Sequence, residues 1–185
     1  GRNLVASAEV MDSALQRVRD LHRQHGRRIS LVGWSLGGLY ARELAKRAPD
    51  AVRGVITLGS PFTGPAQASN AGRFYHSLNA RRPSLAISRD ELRKAPALPT
   101  TSIYSRSDGI VAWQCSVEQP SAMSESIEVE SSHTGLGVNP FALYALADRL
   151  AQAEGRWLPF DRSGARGLLF RDPQRRSAAR SRRAT

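Results

Sequence analysis

Residues 28–38 read Arg28-Ile29-Ser30-Leu31-Val32-Gly33-Trp34-Ser35-Leu36-Gly37-Gly38, or RISLVGWSLGG. An apolar run stops at a serine set among small residues. Residues 28–33 are short, apolar and closed by glycine, which predicts a buried strand. Leu36, Leu39, Tyr40 and Leu44 then recur at helical spacing as far as Ala48, and Pro49 follows. Residues 52–59, VRGVITLG, predict a second buried strand. Strand, helix and strand in this order predict a parallel crossover. Ser35 falls at the junction of the first strand and the helix, where the chain must turn sharply. Small residues two before and two after, Gly33 and Gly37, relieve the crowding of such a turn. The turn lifts the Ser35 hydroxyl above the strand's C-terminal edge. It also aims the first helical N–H groups, Leu36 foremost, at the place where an oxyanion would form.

Working outward, Val10, Ala14, Val18 and Leu21 predict an amphipathic helix over 6–25, closed by Gly26. Residues 61–97 have two early prolines and many small polar residues. They read as an insertion with one or two short helices. Residues 100–106 (TTSIYSR) predict a third strand. Residues 126–132 (SIEVESS) predict a fourth, an edge strand whose Glu128 and Glu130 line a wet face. Residues 139–152 predict a helix with Asn139 as N-cap and Pro140 at its first position. The expected division is a core over 1–160 carrying the 61–97 insertion, then a disordered Arg-rich tail over 161–185.

A serine needs a base, and the base needs an orienting carboxylate. The chain has four histidines. His22 and His25 end the first helix, and His76 lies in the insertion. His133 directly follows the fourth strand, at the functional edge of a parallel sheet. For the carboxylate, Asp108 follows the third strand in IYSRSDGIV, with Glu118 and Asp90 as competitors. Asp108 is the choice because it lies next to a strand end.

Ser35, Asp108 and His133 then fall in the order Ser…Asp…His, each after its own strand. In that order, and in SLVGWSLGG, VITLGSPFTG, YSRSDGIV and SHTGLGVNP, residues 1–160 resemble the α/β-hydrolase superfamily on its bacterial lipase/esterase-like side. The resemblance implies a parallel-sheet α/β-hydrolase fold and a serine hydrolase cleaving carboxylic esters through an acyl-enzyme. It implies nucleophile Ser35, acid Asp108, base His133 and an oxyanion donor at the Leu36 N–H. It also implies an acyl pocket bordered by Trp34, Ser60, Pro61 and Phe62, under a cap formed partly by 61–97. Trp34 itself is expected to pack under the turn. The family sheet has further strands before its nucleophile, and its second oxyanion donor comes from that earlier part. The fold is therefore expected to lack its N-terminal strands here, with an exposed apolar edge at 28–33 and weak activity of the chain alone.

Composition narrows the partners. The net charge is +11, of which residues 161–185, with eight arginines and two aspartates, supply +6. The expected partner is a small-molecule or lipid ester. A polyanion-binding tail on an inactive scaffold is the rival reading, and an acyltransferase is the close variant. No folded nucleic-acid motif appears, so no specific nucleic-acid partner is expected. The single cysteine, Cys115, reads as an apolar filler. Neither a metal nor a cofactor is expected, and no apolar run is long enough for a transmembrane helix. A cytoplasmic location is expected if no signal precedes Gly1. Oligomeric state leaves no mark in the sequence.

Overall fold

The computed structural model describes residues 8–63, 89–119 and 121–170. Helix α1 (Ala8–His25) leads into β1 (Ile29–Trp34), α2 (Leu36–Arg47) and β2 (Val52–Leu58). A short helix α3 (Arg89–Arg93) precedes β3 (Thr100–Tyr104) and β4 (Ser124–Glu128). Helices α4 (Pro140–Ala151) and α5 (Arg166–Leu169) complete the described chain. The predicted residues 64–88 of the insertion lie outside the described residues, as do 171–185 of the tail.

The four strands form one parallel sheet in the order β1-β2-β3-β4. Side chains of a strand alternate between its faces, so a parallel sheet buried on both needs two cores. The chain has both. Val52, Val55 and Leu98 join Met11 and Val18 of α1 and Ala41, Leu44 and Ala45 of α2 in one cluster. Ile56, Leu58, Ile103 and Ile127 join Leu136 and Ala142 and Ala145 of α4 in the other. Asn139 caps α4, its Oδ1 accepting from the Phe141 and Ala142 N–H groups at 2.9 and 3.0 Å. Parallel register aligns the C-terminal ends of all four strands, and the loops carrying Ser35, Asp108 and His133 leave from that one edge. β1 is the outermost strand on its side of the described sheet, and its Val32 is partly exposed.

Two expectations change. The fourth strand begins two residues earlier, at Ser124, and ends at Glu128. The Ser124 hydroxyl donates to the Gln119 carbonyl at 2.7 Å, which satisfies it at the start of the strand. Glu128 is also not on a wet face. It is buried, accepting from the Tyr104 hydroxyl at 3.1 Å and Arg106 Nε at 2.9 Å. Burial pushes the Tyr104 phenol far up, and the Glu128 carboxylate adds to the shift.

The tail is corrected over its first part. Phe170 is buried against Phe160, edge to face with ring centroids 4.8 Å apart, and stacks on Tyr144 of α4 at 5.7 Å. Arg162 Nη2 donates to the Ser126 carbonyl of β4 at 2.8 Å. A composition dominated by Arg, Ser and Gly concealed one aromatic anchor that ties 161–170 to the core.

Candidate active site

Ser35 has φ 54° and ψ −124°, and is the only non-glycine with positive φ among the described residues. Such a conformation costs on the order of 1–3 kcal/mol and persists only where its surroundings hold it. Its N–H donates to the Leu58 carbonyl of β2 at 2.8 Å, and its carbonyl accepts from the Gly38 N–H at 3.1 Å. A Cβ on Gly33 would come within 2.4 Å of the Gly37 carbonyl oxygen, so β1 and α2 can meet this closely only at glycine. On the helix side the tight position is not Gly37, where a Cβ would meet nothing within 4 Å, but Gly38. A Cβ there would come within 2.0 Å of Ser60 Oγ.

The structure brings the three predicted residues together. His133 Nε2 lies 2.9 Å from Ser35 Oγ, and His133 Nδ1 lies 2.6 Å from Asp108 Oδ2. The other carboxylate oxygen, Oδ1, accepts from the Ile110 and Val111 N–H groups at 2.9 and 2.8 Å. Each oxygen is thereby committed, and Oδ2 is left to orient the imidazole. Burial raises the Asp108 carboxyl, but the bond from His133 and those from Val111 and Ile110 outweigh it, and its pKa is lowered overall. An ionised carboxylate on Nδ1 favours the tautomer that offers a lone pair at Nε2 to the serine.

Neighbours fix this chain of bonds. Ser105 Oγ, at the end of β3, accepts from the Ser107 N–H at 3.1 Å and the Ser131 N–H at 3.0 Å. It thus ties the acid loop to the histidine loop. Gly59 (φ 54°) ends β2 beneath the pair, where a Cβ would lie 3.0 Å from Asp108 Oδ2 and 3.3 Å from His133 Nδ1. The sequence signalled Gly59 only as the last residue of the predicted second strand. Nothing in the pattern marked Ser105 or Gly38.

The other predicted positions divide. Leu36 opens α2 directly after Ser35, where helical N–H groups have no acceptor within the helix. Trp34 does not pack under the turn. It is 45% exposed, its Nε1–H donates to the His133 carbonyl at 3.1 Å, and its ring lies tilted beside the imidazole at 5.4 Å. Pro61 is half-buried, but Ser60 and Phe62 are buried and offer no surface to a pocket in this conformation. Ser60 packs on Gly38, and Phe62 lies under the Arg42 guanidinium at 3.9 Å. Among the rejected candidates, His22 bonds the Arg27 carbonyl at the end of α1, and Asp90 is exposed on α3. Glu118 pairs with Arg42, away from the serine. His76 lies outside the described residues. Among the described residues no group of three or more His, Cys, Asp or Glu could hold a metal, and no helix is long and apolar enough to cross a membrane.

A parallel sheet with helices on both faces, and a strained serine between its first strand and the following helix, define the α/β-hydrolase superfamily. Within it, the family model described as the PGAP1-like alpha/beta domain matches residues 1–135, and the chain belongs to that family. No curated protein matches the chain. Among solved structures, lipase B of Aspergillus fumigatus is similar with a TM-score of 0.60 and 18% identity, over 81% of this chain and 43% of its own. The esterase domain of a Rhodothermus marinus protein gives 0.56 and 16%, over 81% and 68%. A lipase of Bacillus licheniformis gives 0.52 and 15%, over 72% and 71%. At these identities the likeness is one of fold.

Proposed function

We propose that this chain is a serine hydrolase that cleaves carboxylic esters through an acyl-enzyme at Ser35. The observation that carries the reading is the continuous path Ser35 Oγ, His133 Nε2, His133 Nδ1, Asp108 Oδ2, with links of 2.9 and 2.6 Å. The similar lipases and an esterase domain among solved structures agree with an ester as substrate.

In the proposed cycle His133 Nε2 takes the Ser35 proton as Oγ attacks the ester carbonyl carbon. Asp108 holds the resulting imidazolium by its Nδ1–H. The oxyanion forms at the N-terminus of α2, near the Leu36 N–H. Collapse of the tetrahedral intermediate breaks the bond to the alcohol oxygen, which leaves with the proton from Nε2. Water then gives a proton to His133 and attacks the acyl carbon. The second collapse returns that proton to Ser35 and releases the acid. No step requires a cofactor. Gly59 adjoins the Asp108–His133 pair and Ser60 adjoins α2, so the residues directly after β2 border the reacting groups.

The test is labelling with a fluorophosphonate probe, together with turnover of p-nitrophenyl acetate, in the parent and in Ser35→Ala and His133→Ala. Labelling and turnover that both substitutions abolish are expected. A folded parent that neither labels nor turns over the ester overturns the reading, as does labelling that survives Ser35→Ala.

A further inference from the structure

The loop that carries His133 leaves the sheet after β4, while Ser35 follows β1, three strand intervals away. Neighbouring strands lie about 4.8 Å apart, so the loop carries the imidazole roughly 14 Å across the sheet edge. A reacting pair at the end of such a span is sensitive to a loop shift of about 1 Å. Supports along the span are visible. The Ser131 N–H is held by Ser105 Oγ of the β3 end at 3.0 Å. Leu136 is fully buried in the cluster with Ile56, Leu58 and Ile103. At the β1 end the support comes from Trp34. Its Nε1–H donates to the carbonyl of His133 itself at 3.1 Å. Its ring lies beside the imidazole, with centroids 5.4 Å apart and planes tilted by 35°.

Trp34 directly precedes Ser35. Its backbone is one peptide from the nucleophile, while its side chain is bonded to the residue that carries the base. A shift of the His133 loop relative to Ser35 therefore strains the indole bond. Burial does not account for a tryptophan here, because the residue is 45% exposed. We propose that Trp34 is a positioning residue for His133. Its indole N–H fixes the His133 main chain, and its ring limits the swing of the imidazole. Together they keep Nε2 at 2.9 Å from Ser35 Oγ. Asp108 and Ser105 reach the histidine loop from the β3 side, and Trp34 completes the hold from the β1 side. The effect on rate rests on the proposed ester hydrolysis, whereas the hold on the loop does not.

Trp34→Phe keeps an aromatic ring and removes the donor, and Trp34→Leu removes both. Each variant, shown to be folded by circular dichroism, would be compared with the parent by kcat and KM for p-nitrophenyl acetate. Amide hydrogen exchange of the full chain, read by mass spectrometry over residues 131–138, needs no activity. In Trp34→Phe, exchange over 131–138 should accelerate roughly tenfold, as for one lost hydrogen bond, with β4 unchanged. The kcat should fall by roughly tenfold to a hundredfold with KM within about twofold, because the reacting groups are displaced rather than the substrate contacts. Trp34→Leu should lose at least as much by both measures. Should it fail to fold, Trp34→Phe decides. Unaltered exchange in a folded Trp34→Phe overturns the hold on the loop. Faster exchange with an unchanged kcat overturns the positioning role, as does a rise in KM without a fall in kcat. If the parent cleaves no ester, the proposed function fails and the effect on rate fails with it. Exchange then still decides whether Trp34 holds the loop.

Discussion

Asp108 and Glu118 lie in the same connection between β3 and β4, and their side chains are 2% and 1% exposed. Burial treats them alike, yet they end in opposite states. Burial raises both carboxyls. At Asp108 the His133 bond and two backbone N–H groups reverse the shift, and the group is lowered. At Glu118 burial prevails over the attraction of Arg42, and the group stays raised. Burial also lowers Arg42, against the pull of Glu118. The difference lies in the partners. Asp108 faces an imidazole that can carry a proton on to a hydroxyl. Glu118 faces a guanidinium that keeps its proton and leads on to backbone carbonyls. On the proposed reading one carboxylate serves the chemistry at Ser35, while the other holds a buried guanidinium bound to backbone carbonyls.

The largest expected effect separates them by rate. Asp108→Asn keeps the shape but can leave His133 in the wrong tautomer, and should lower kcat on p-nitrophenyl acetate by about 10⁴-fold. Glu118→Gln leaves the serine, imidazole and carboxylate in place, and its kcat should stay within roughly tenfold of the parent. Steady-state kinetics on purified folded variants checks both. A greater loss of rate from Glu118→Gln would reverse the assignment.

The next effect separates them by stability. Glu118→Gln strands the Arg42 charge in a site with no exposed surface, at a cost of about 3–5 kcal/mol. Arg42→Met with Glu118→Leu removes both charges and should fall near the parent or above it by up to about 4 kcal/mol. Urea unfolding followed by circular dichroism measures the three. If the paired variant is as weak as Glu118→Gln, packing rather than the stranded charge explains the loss.

A third substitution acts on one side of the comparison alone. A Cβ at Gly59 would lie 2.7 Å from Leu136 Cδ1 and 3.0 Å from Asp108 Oδ2. Gly59→Ala should therefore cost about 1–3 kcal/mol through overpacking, in addition to the strain of φ 54°. It should also lower kcat, because the Asp108–His133 pair must yield. The bonds after Arg93 and Lys94, whose carbonyls face Arg42 Nη2 at 3.4 and 3.2 Å, should resist trypsin as in the parent. Accelerated cleavage there would mean that the two carboxylate regions are mechanically joined.

The sequence made one of these regions legible and hid the other, for physical reasons. Ser35, Asp108 and His133 each follow a strand, and strands are visible as apolar runs bounded by glycine or proline. Chain order then gathers them at one edge. Arg42 and Glu118 have no such marker. A charged residue beside Glu43 on a helix reads as a solvated face, and only the fold shows that α2 buries it. Glu128 misled for the same reason: alternation with Ile127 and Val129 suggested water, where Tyr104 and Arg106 wait. The G-x-S-x-G spacing pointed to Gly37, yet the tight contact falls on Gly38, because its partner is Ser60 on a different strand connection. Pairings across the chain are what a local pattern cannot encode, and Phe170 against Phe160 is a further instance.

The smallest expected effect is on the pH dependence of stability, and its sign differs between the two carboxylates. Asp108 is lower in the folded chain than its ordinary value of 3.8. Its contribution is present above that value and is lost as pH falls through the lowered folded value, so it makes stability rise with pH. Glu118 is higher in the folded chain than its ordinary value of 4.5. Its contribution is full below that value and is lost as pH rises through the raised folded value, so it makes stability fall with pH. Urea unfolding across the acid range, in the parent and in Asp108→Asn and Glu118→Gln, measures each by subtraction. Asp108→Asn should flatten the rise of stability below pH 3.8, and Glu118→Gln should steepen the rise above pH 4.5. If both variants steepen the slope, the bonds from His133, Ile110 and Val111 do not outweigh burial at Asp108. The two carboxylates would then differ in their neighbours but not in their charge.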